Sequence, residues 1–229
     1  MTGTTKIFEG IKNIKIVGIG GAGCNTVKRI AEAGLTGVDG VAINTDAQSL
    51  AQITEKDIKK IQIGKELTKG LSADGNPEIG KQATEENQVE IAEALAGADL
   101  VFIIAGMGGG TGTGASPVVA NIVKKPEKYT NKCGFVVEKD ADVLVAAFVT
   151  LPFSFEGIGK TEKAKAGCIE LQKKSDYFTQ LKNDFLITAL KTPKTYTEEE
   201  KFVKGEISLL DLFRKFDDII IKQIKMFVD

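Results

Sequence analysis

Residues 105–117 read Ala105-Gly-Met-Gly-Gly-Gly-Thr-Gly-Thr-Gly-Ala-Ser-Pro117, with five glycines in the seven positions from Gly108 to Gly114. Backbone without Cβ atoms can turn several N–H groups toward one point and let a ligand approach closely. Thr111 and Thr113 add hydroxyls to the same short stretch. That combination is the chemistry of a phosphate cradle. The competing reading is a flexible glycine-rich turn, but such turns rarely alternate Gly-Thr-Gly-Thr-Gly.

The flanking residues say which elements hold the loop. Asp99-Leu-Val-Phe-Ile-Ile104 is a continuous apolar run, the pattern of a strand buried on both faces. Pro117-Val-Val-Ala-Asn-Ile-Val-Lys-Lys125 reads as a helix with proline near its start. The loop therefore joins a strand to a helix, where free N–H groups and the helix dipole favour an anion.

A second glycine cluster lies nearer the beginning. Lys12 to Ile19 predicts a strand, and Gly18-Ile-Gly20-Gly21-Ala22-Gly23-Cys24-Asn25 leads into a helix at Thr26. Gly18, Gly20 and Gly23 satisfy G-x-G-x-x-G, and Val38–Asp46 predicts a second strand ending in Asn44-Thr-Asp46. An acidic residue about twenty positions after such glycines also suits a dinucleotide fold, so this segment alone leaves NAD and GTP both open. Cys24, at a helix start, is either an activated thiol or a small residue that fits the loop.

Bulk properties narrow the classes. Thirty basic residues face 31 acidic ones, so charge makes no case for nucleic acid or an anionic membrane as the main partner. Three widely spaced cysteines argue against a disulfide framework and fit a cytoplasmic setting. No apolar run is long enough to span a bilayer, and residues 1–10 lack the apolar stretch of a signal peptide. Histidine is absent, which removes His-based triads, bases and metal ligands.

Gly108-Gly-Gly-Thr-Gly-Thr-Gly114 resembles the signature of the tubulin/FtsZ superfamily of GTP-binding cytoskeletal proteins. Gly20-Gly-Ala-Gly-Cys-Asn25, Asn44-Thr-Asp46 and Leu151-Pro-Phe-Ser-Phe-Glu-Gly157 are similar to further FtsZ segments. The likeness runs over about residues 12–228. It implies a Rossmann-like, doubly wound α/β domain with a mainly parallel sheet, helices on both faces, and GTP or GDP at the carboxyl ends of the strands.

The resemblance also implies site residues. Gly20, Gly21, Ala22, Gly23 and Asn25 belong to the first loop, Asn44 and Asp46 to the end of the second strand. Gly70-Leu-Ser-Ala73-Asp74-Gly-Asn-Pro77 matches a loop that contacts the terminal phosphate, ahead of an acidic helix over 77–96. The family usually has glycine where Asp74 stands. Asp74 is either an ordinary Asp-Gly turn or a functional carboxylate that helps hold Mg²⁺. Gly106, Gly108, Gly109, Gly110, Thr111, Gly112, Thr113 and Gly114 form the cradle. Pro152 and Glu156 follow, with the glutamate at the ribose. Lys160 stands where the family has arginine and lacks its fork of donors. Asn183 would present its amide to the base. Phe213 and Asp217, one helical turn apart, would stack on guanine and accept from its N1–H and 2-amino group. Alone, that pair would read as an amphipathic helix with a core Phe and a surface Asp.

Two look-alikes fail on their own residues. Gly159-Lys-Thr161 ends like a Walker A loop, but Ser154 occupies the leading glycine position, and Asn131-Lys132 lacks the Asp of N-K-x-D because residue 134 is Gly.

The expected organisation is an arm over 1–11, an α/β domain over 12–206, and a long helix over 207–229. Insertions are expected at about 126–142, as a hairpin turning near Asn131–Gly134, and at about 191–205. In the family an acidic loop and a second domain follow this helix, so hydrolysis would need an acidic loop from another FtsZ-like subunit, self or complete homologue, stacked head to tail. The expected function is that of a cell-division cytoskeletal GTPase domain. The alternatives are a non-hydrolysing cap or regulator of filaments and, from another class, an NAD(P)-binding oxidoreductase.

Overall fold

The structure is a computed structural model that describes residues 11–124, 129–130, 136–137, 143–185 and 209–228. Its frame is a sheet of six strands: β1 (Ile14–Ile19), β2 (Val38–Asn44), β3 (Ile58–Gln62), β4 (Leu100–Gly106), β7 (Leu144–Leu151) and β8 (Tyr177–Lys182). Every neighbouring pair is parallel, in the order β3-β2-β1-β4-β7-β8. The order reverses beside β1, which opens a crevice at the carboxyl ends of β1 and β4.

The central strands read as unbroken apolar runs because both of their faces are covered. On one face Val17, Ile103 and Val149 pack with Ala83, Leu95, Val119 and Leu171. These come from α4 (Pro77–Glu86), α5 (Gln88–Leu95), α6 (Thr111–Lys124) and α7 (Ile158–Gln172). On the other face Ile16, Phe102 and Phe148 pack with Val27, Ile30, Phe216, Ile220 and Ile224. These belong to α1 (Gly20–Glu32) and α8 (Leu209–Val228). Two short helices, α2 (Ala47–Ala51) and α3 (Lys65–Thr68), lie in the connections after β2 and β3.

Several boundaries differ from the sequence reading, for identifiable reasons. Helix α1 starts at Gly20 rather than Thr26, so the glycine cluster is the helix's own first turn. Helix α6 starts at Thr111, leaving Pro117 inside it. Helical propensity disfavours both starts, and tertiary contacts override it. The helix expected over 77–96 is two helices broken at Asn87, whose Oδ1 accepts from the Gly64 N–H at 2.9 Å. The polar strand β8 is half exposed because it is the sheet edge.

Strands β5 (Tyr129–Thr130) and β6 (Val136–Val137) pair antiparallel, as the expected hairpin requires. Its turn, the arm over residues 1–10 and the insertion at 191–205 lie outside the described residues. Among the described residues no helix is long and apolar enough to cross a membrane.

Gly114 shows how tightly the helices close on the loop. A Cβ there would overlap Pro77 O and lie 2.8 Å from Lys81 N, because α4 crosses α6 at this point. We expect Gly114→Ala to destabilise the fold by about 1–3 kcal/mol through overpacking. Urea denaturation checks it, and an unchanged midpoint would contradict the packing role.

Candidate functional site

The crevice is walled by two helix starts laid side by side. Ile19 precedes α1 with no side chain capping the helix, and the first turn carries no acidic residue. The opening N–H groups of α1 are thus left for a ligand. Helix α6 likewise has no acidic residue in its first turn. Gly20 has φ of 72°, and a Cβ on it would lie 3.0 Å from Gly112 N. Only glycine lets the two backbones approach this closely.

The space between them is a cavity of about 390 Å³. It continues into a second cavity of about 870 Å³, with Ala22, Gly106, Thr150 and Phe213 lining both. The smaller cavity holds the glycine walls: Gly20 and Gly21 on one side, Gly108, Gly109, Gly110, Thr111 and Gly112 on the other. Asn44, Asp46, Ala73, Asp74, Pro152, Glu156, Lys160 and Asn183 complete it. The larger cavity runs between α1 and α8 and is lined by Gly23, Asn25 and Asp217.

Two expected contacts sit elsewhere. Thr113 is 3 % exposed, and its hydroxyl accepts from the Gly108 N–H at 2.8 Å, which shapes the loop from behind. Gly114 faces α4 and lines neither cavity. Thr111 does line the cavity, and its hydroxyl is 2.9 Å from that of Thr45.

The carboxylates differ in how far they are engaged. Asp46 caps α2, accepting from Gln48 N–H, Ser49 N–H and the Ser49 hydroxyl at 2.8–3.2 Å. The Ser49 hydrogen bonds hold its carboxyl below the usual range. Glu156 accepts from the Phe153 N–H at 2.8 Å and from Lys160 Nζ at 3.0 Å. Lys160 is thus neutralised by its neighbour one turn away.

Asp217 is buried, with Oδ1 accepting from the Thr26 hydroxyl at 2.6 Å and Oδ2 3.7 Å from Arg29 Nε. Burial raises its pKa, against the Thr26 hydrogen bond and the Arg29 charge. A carboxylate has about four acceptor positions, so lone pairs remain for a ligand. Phe213, 38 % exposed, lies at the junction of the two cavities. Asn183 is 5 % exposed, and its Oδ1 is buried with no partner among the described residues. An orphaned acceptor at a cavity wall is the mark of a site built for a donor.

Cys24 is not an activated thiol. It is 2 % exposed, and burial pushes its pKa up to about 12. Sequence reasoning missed Thr150, which lines both cavities, and the pair Thr26 and Arg29 around Asp217. Thr150 was findable as a polar residue near the carboxyl end of an otherwise apolar strand. The partners of Asp217 were not, being nearly two hundred positions away.

The geometry has counterparts among known proteins. The tubulin/FtsZ family, GTPase domain, matches residues 13–191. Cell division protein FtsZ 1 of Pyrococcus abyssi is 42% identical over 221 residues, which span 96% of this chain and 51% of that protein. The Thermococcus kodakarensis FtsZ 1 is 46% identical over 183 residues, 80% of this chain and 44% of that protein. The chain thus spans about half the length of these relatives. Among solved structures, an empty FtsZ dimer from M. jannaschii superposes with a TM-score of 0.75 at 37% identity, covering 96% of this chain and 55% of its own. CetZ2 of Haloferax volcanii, solved as a GTPγS-bound protofilament, shares the fold at 22% identity and a TM-score of 0.70, covering 93% of this chain and 57% of its own. With a family match over most of its length and two glycine-walled helix starts facing one cleft, the chain belongs to the tubulin/FtsZ family and carries its GTPase-domain fold.

Proposed function

We propose that this chain binds GTP and GDP as the nucleotide-binding part of an FtsZ-like cytoskeletal protein of cell division. The observation that carries the reading is the continuous cleft, with its glycine walls and Asn183 in one cavity, Asp217 in the other and Phe213 where they meet. The phosphates would lie on the N–H groups of Gly20–Ala22 and Gly109–Gly112. Glu156 would take the ribose and Asn25 the base edge. Asp217, held by Thr26 and Arg29, would accept from the guanine donors that adenine lacks.

Mg²⁺ fits the phosphate end, where oxygen ligands would come from the nucleotide and water; when bound, it neutralises charge on the phosphates. Among the described residues no group of three side chains could hold a metal alone. An NAD enzyme is the weaker reading, because the second glycine wall stands directly against the first.

Water attack on a terminal phosphate needs positioning and a charged partner beyond it. Asp46 and Glu156 are tied up within the chain, as described above. Asp74 is the one carboxylate left at this end among the described residues, and the family resemblance implies that hydrolysis depends on acidic groups from another subunit in a head-to-tail contact. That the similar FtsZ 1 proteins are cell division proteins supports the cellular assignment.

Melting scans should show GTP and GDP raising stability by roughly 2.7 kcal/mol at a hundred times Kd, with ATP and NAD far less effective. Equal shifts for GTP and ATP would remove the guanine assignment. Phosphate release should be slow for these 229 residues alone and rise when a complete FtsZ-like partner is added. Fast turnover by the chain alone would place the reactive carboxylate within it.

Gly109 offers a clean separation of fold from function. A Cβ added there meets nothing within 4 Å, yet the residue lines the phosphate end. Gly109→Ala should leave the denaturation midpoint unchanged while weakening GTP by about tenfold or more, since crowding the ligand costs at least about 1.4 kcal/mol. Unaltered affinity would mean that no phosphate passes Gly109.

Asp217→Asn tests the base end. Because burial raises the folded pKa of Asp217, the stability linked to it is present below the unfolded value and lost as pH rises through the folded one. At pH 7 the free chain should thus be at least as stable with Asn. Guanine affinity should nonetheless fall about tenfold or more, as charged hydrogen bonds contribute about 1.5–3 kcal/mol. A folded variant with full GTP affinity would show that Asp217 does not read the base.

A further inference from the structure

Among the described residues three carboxylates line the phosphate end of the cleft: Asp46, Asp74 and Glu156. Asp46 is engaged by the start of α2, and Glu156 by the Phe153 N–H and Lys160. Among the described residues the Asp74 carboxylate has no such partner; its backbone N–H donates to the Ser72 hydroxyl at 3.0 Å. Asp74 lines the smaller, glycine-walled cavity, and Asp217 lines the larger one that adjoins it. With its base at Asp217, a nucleotide bound as proposed above has its phosphates among the glycine walls, in the cavity that Asp74 also lines.

The loop that carries Asp74 is pinned from two sides. Against the glycine wall, a Cβ on Gly110 would come within 2.7 Å of Ala73 Cβ and 2.9 Å of both Ala73 O and Asn76 N. From α7, Lys163 Nζ donates to Gly75 O at 2.6 Å. Among the described residues Lys160 is the lysine that lines this cavity, and it is paired with Glu156, while Lys163 is held on the Gly75 carbonyl. Neither is paired with Asp74. A fixed, unpaired carboxylate beside a polyanion repels it unless a cation lies between them. A carboxylate together with phosphate oxygens is also how Mg²⁺ is commonly held.

We propose that Asp74 makes binding of the nucleoside triphosphate, but not the diphosphate, conditional on a divalent cation, which its carboxylate holds against the terminal phosphate. This rests on the nucleotide reading above. The diphosphate ends short of Asp74 and escapes the repulsion, so the residue sets which nucleotide occupies the cleft at a given cation level.

The test is calorimetric titration of the chain with GTP and with GDP, each in Mg²⁺ and in EDTA. Asp74 has φ of 46°, a left-handed conformation that Asn tolerates and Gly prefers, so Asp74→Asn and Asp74→Gly both remove the charge while suiting the backbone. Removing Mg²⁺ from the unaltered chain should weaken GTP by about tenfold or more and GDP by less than about threefold. In both variants the loss for GTP should shrink to less than about threefold. Variants that keep the full cation dependence would overturn the inference while leaving nucleotide binding intact. An unaltered chain that binds neither GTP nor GDP would overturn the nucleotide reading and this inference with it.

Discussion

The site depends on one close approach of backbone to backbone. The first turn of α1 meets the first turn of α6 at Gly20 and Gly112, where a Cβ on Gly20 would crowd Gly112 N at 3.0 Å. Two helix N-termini so placed aim their dipoles and free N–H groups at the same small volume. Like dipole ends repel, and free N–H groups lose water as the space narrows. That cost is offset by the sheet beneath, where β1 and β4 are adjacent and in register from Ile14–Leu100 to Ile19–Ala105. The buried strands fix the helix starts, and the helix starts create the anion site.

A second dependence links this site to α8. Asp217 reaches across to α1, where Thr26 and Arg29 hold it. Arg29 also contacts Asp218, with Nη2 3.1 Å from Oδ1. The contact joins the glycine-bearing helix to the helix that closes the other end of the cleft. Burying the carboxylate disfavours its charged form, and part of that cost is recovered by the hydroxyl and the guanidinium. A buried acid held this way is ready to accept from a ligand without first rearranging, which is what base recognition requires. Asn183 follows the same logic in the smaller cavity, with a buried acceptor that has no partner among the described residues.

Much of this was legible in the residues themselves. Apolar runs such as Leu100–Ile104 have the length and pattern of strands buried on both faces, and their alternation with helical segments points to a parallel, doubly wound sheet. The glycine clusters at two strand ends, with Thr111 and Thr113 among them, have the composition of an anion cradle. Absence of histidine narrowed the chemistry at a stroke. These conclusions follow from composition and local spacing, which do not change when the chain folds.

Tertiary structure decided what each cradle residue is for. Gly114 and Gly109 are alike in sequence, but one is wedged against α4 and the other borders open space in the cleft. Thr111 and Thr113 are two positions apart, yet one hydroxyl lines the cavity while the other is turned back on Gly108. Propensity placed the starts of α1 and α6 too late, because it prices glycine in isolation and the packed sheet does not. The partners of Asp217, the idle carboxylate of Asp74 and the neutralised Lys160 all depend on contacts across the fold, and local spacing carries no information about them.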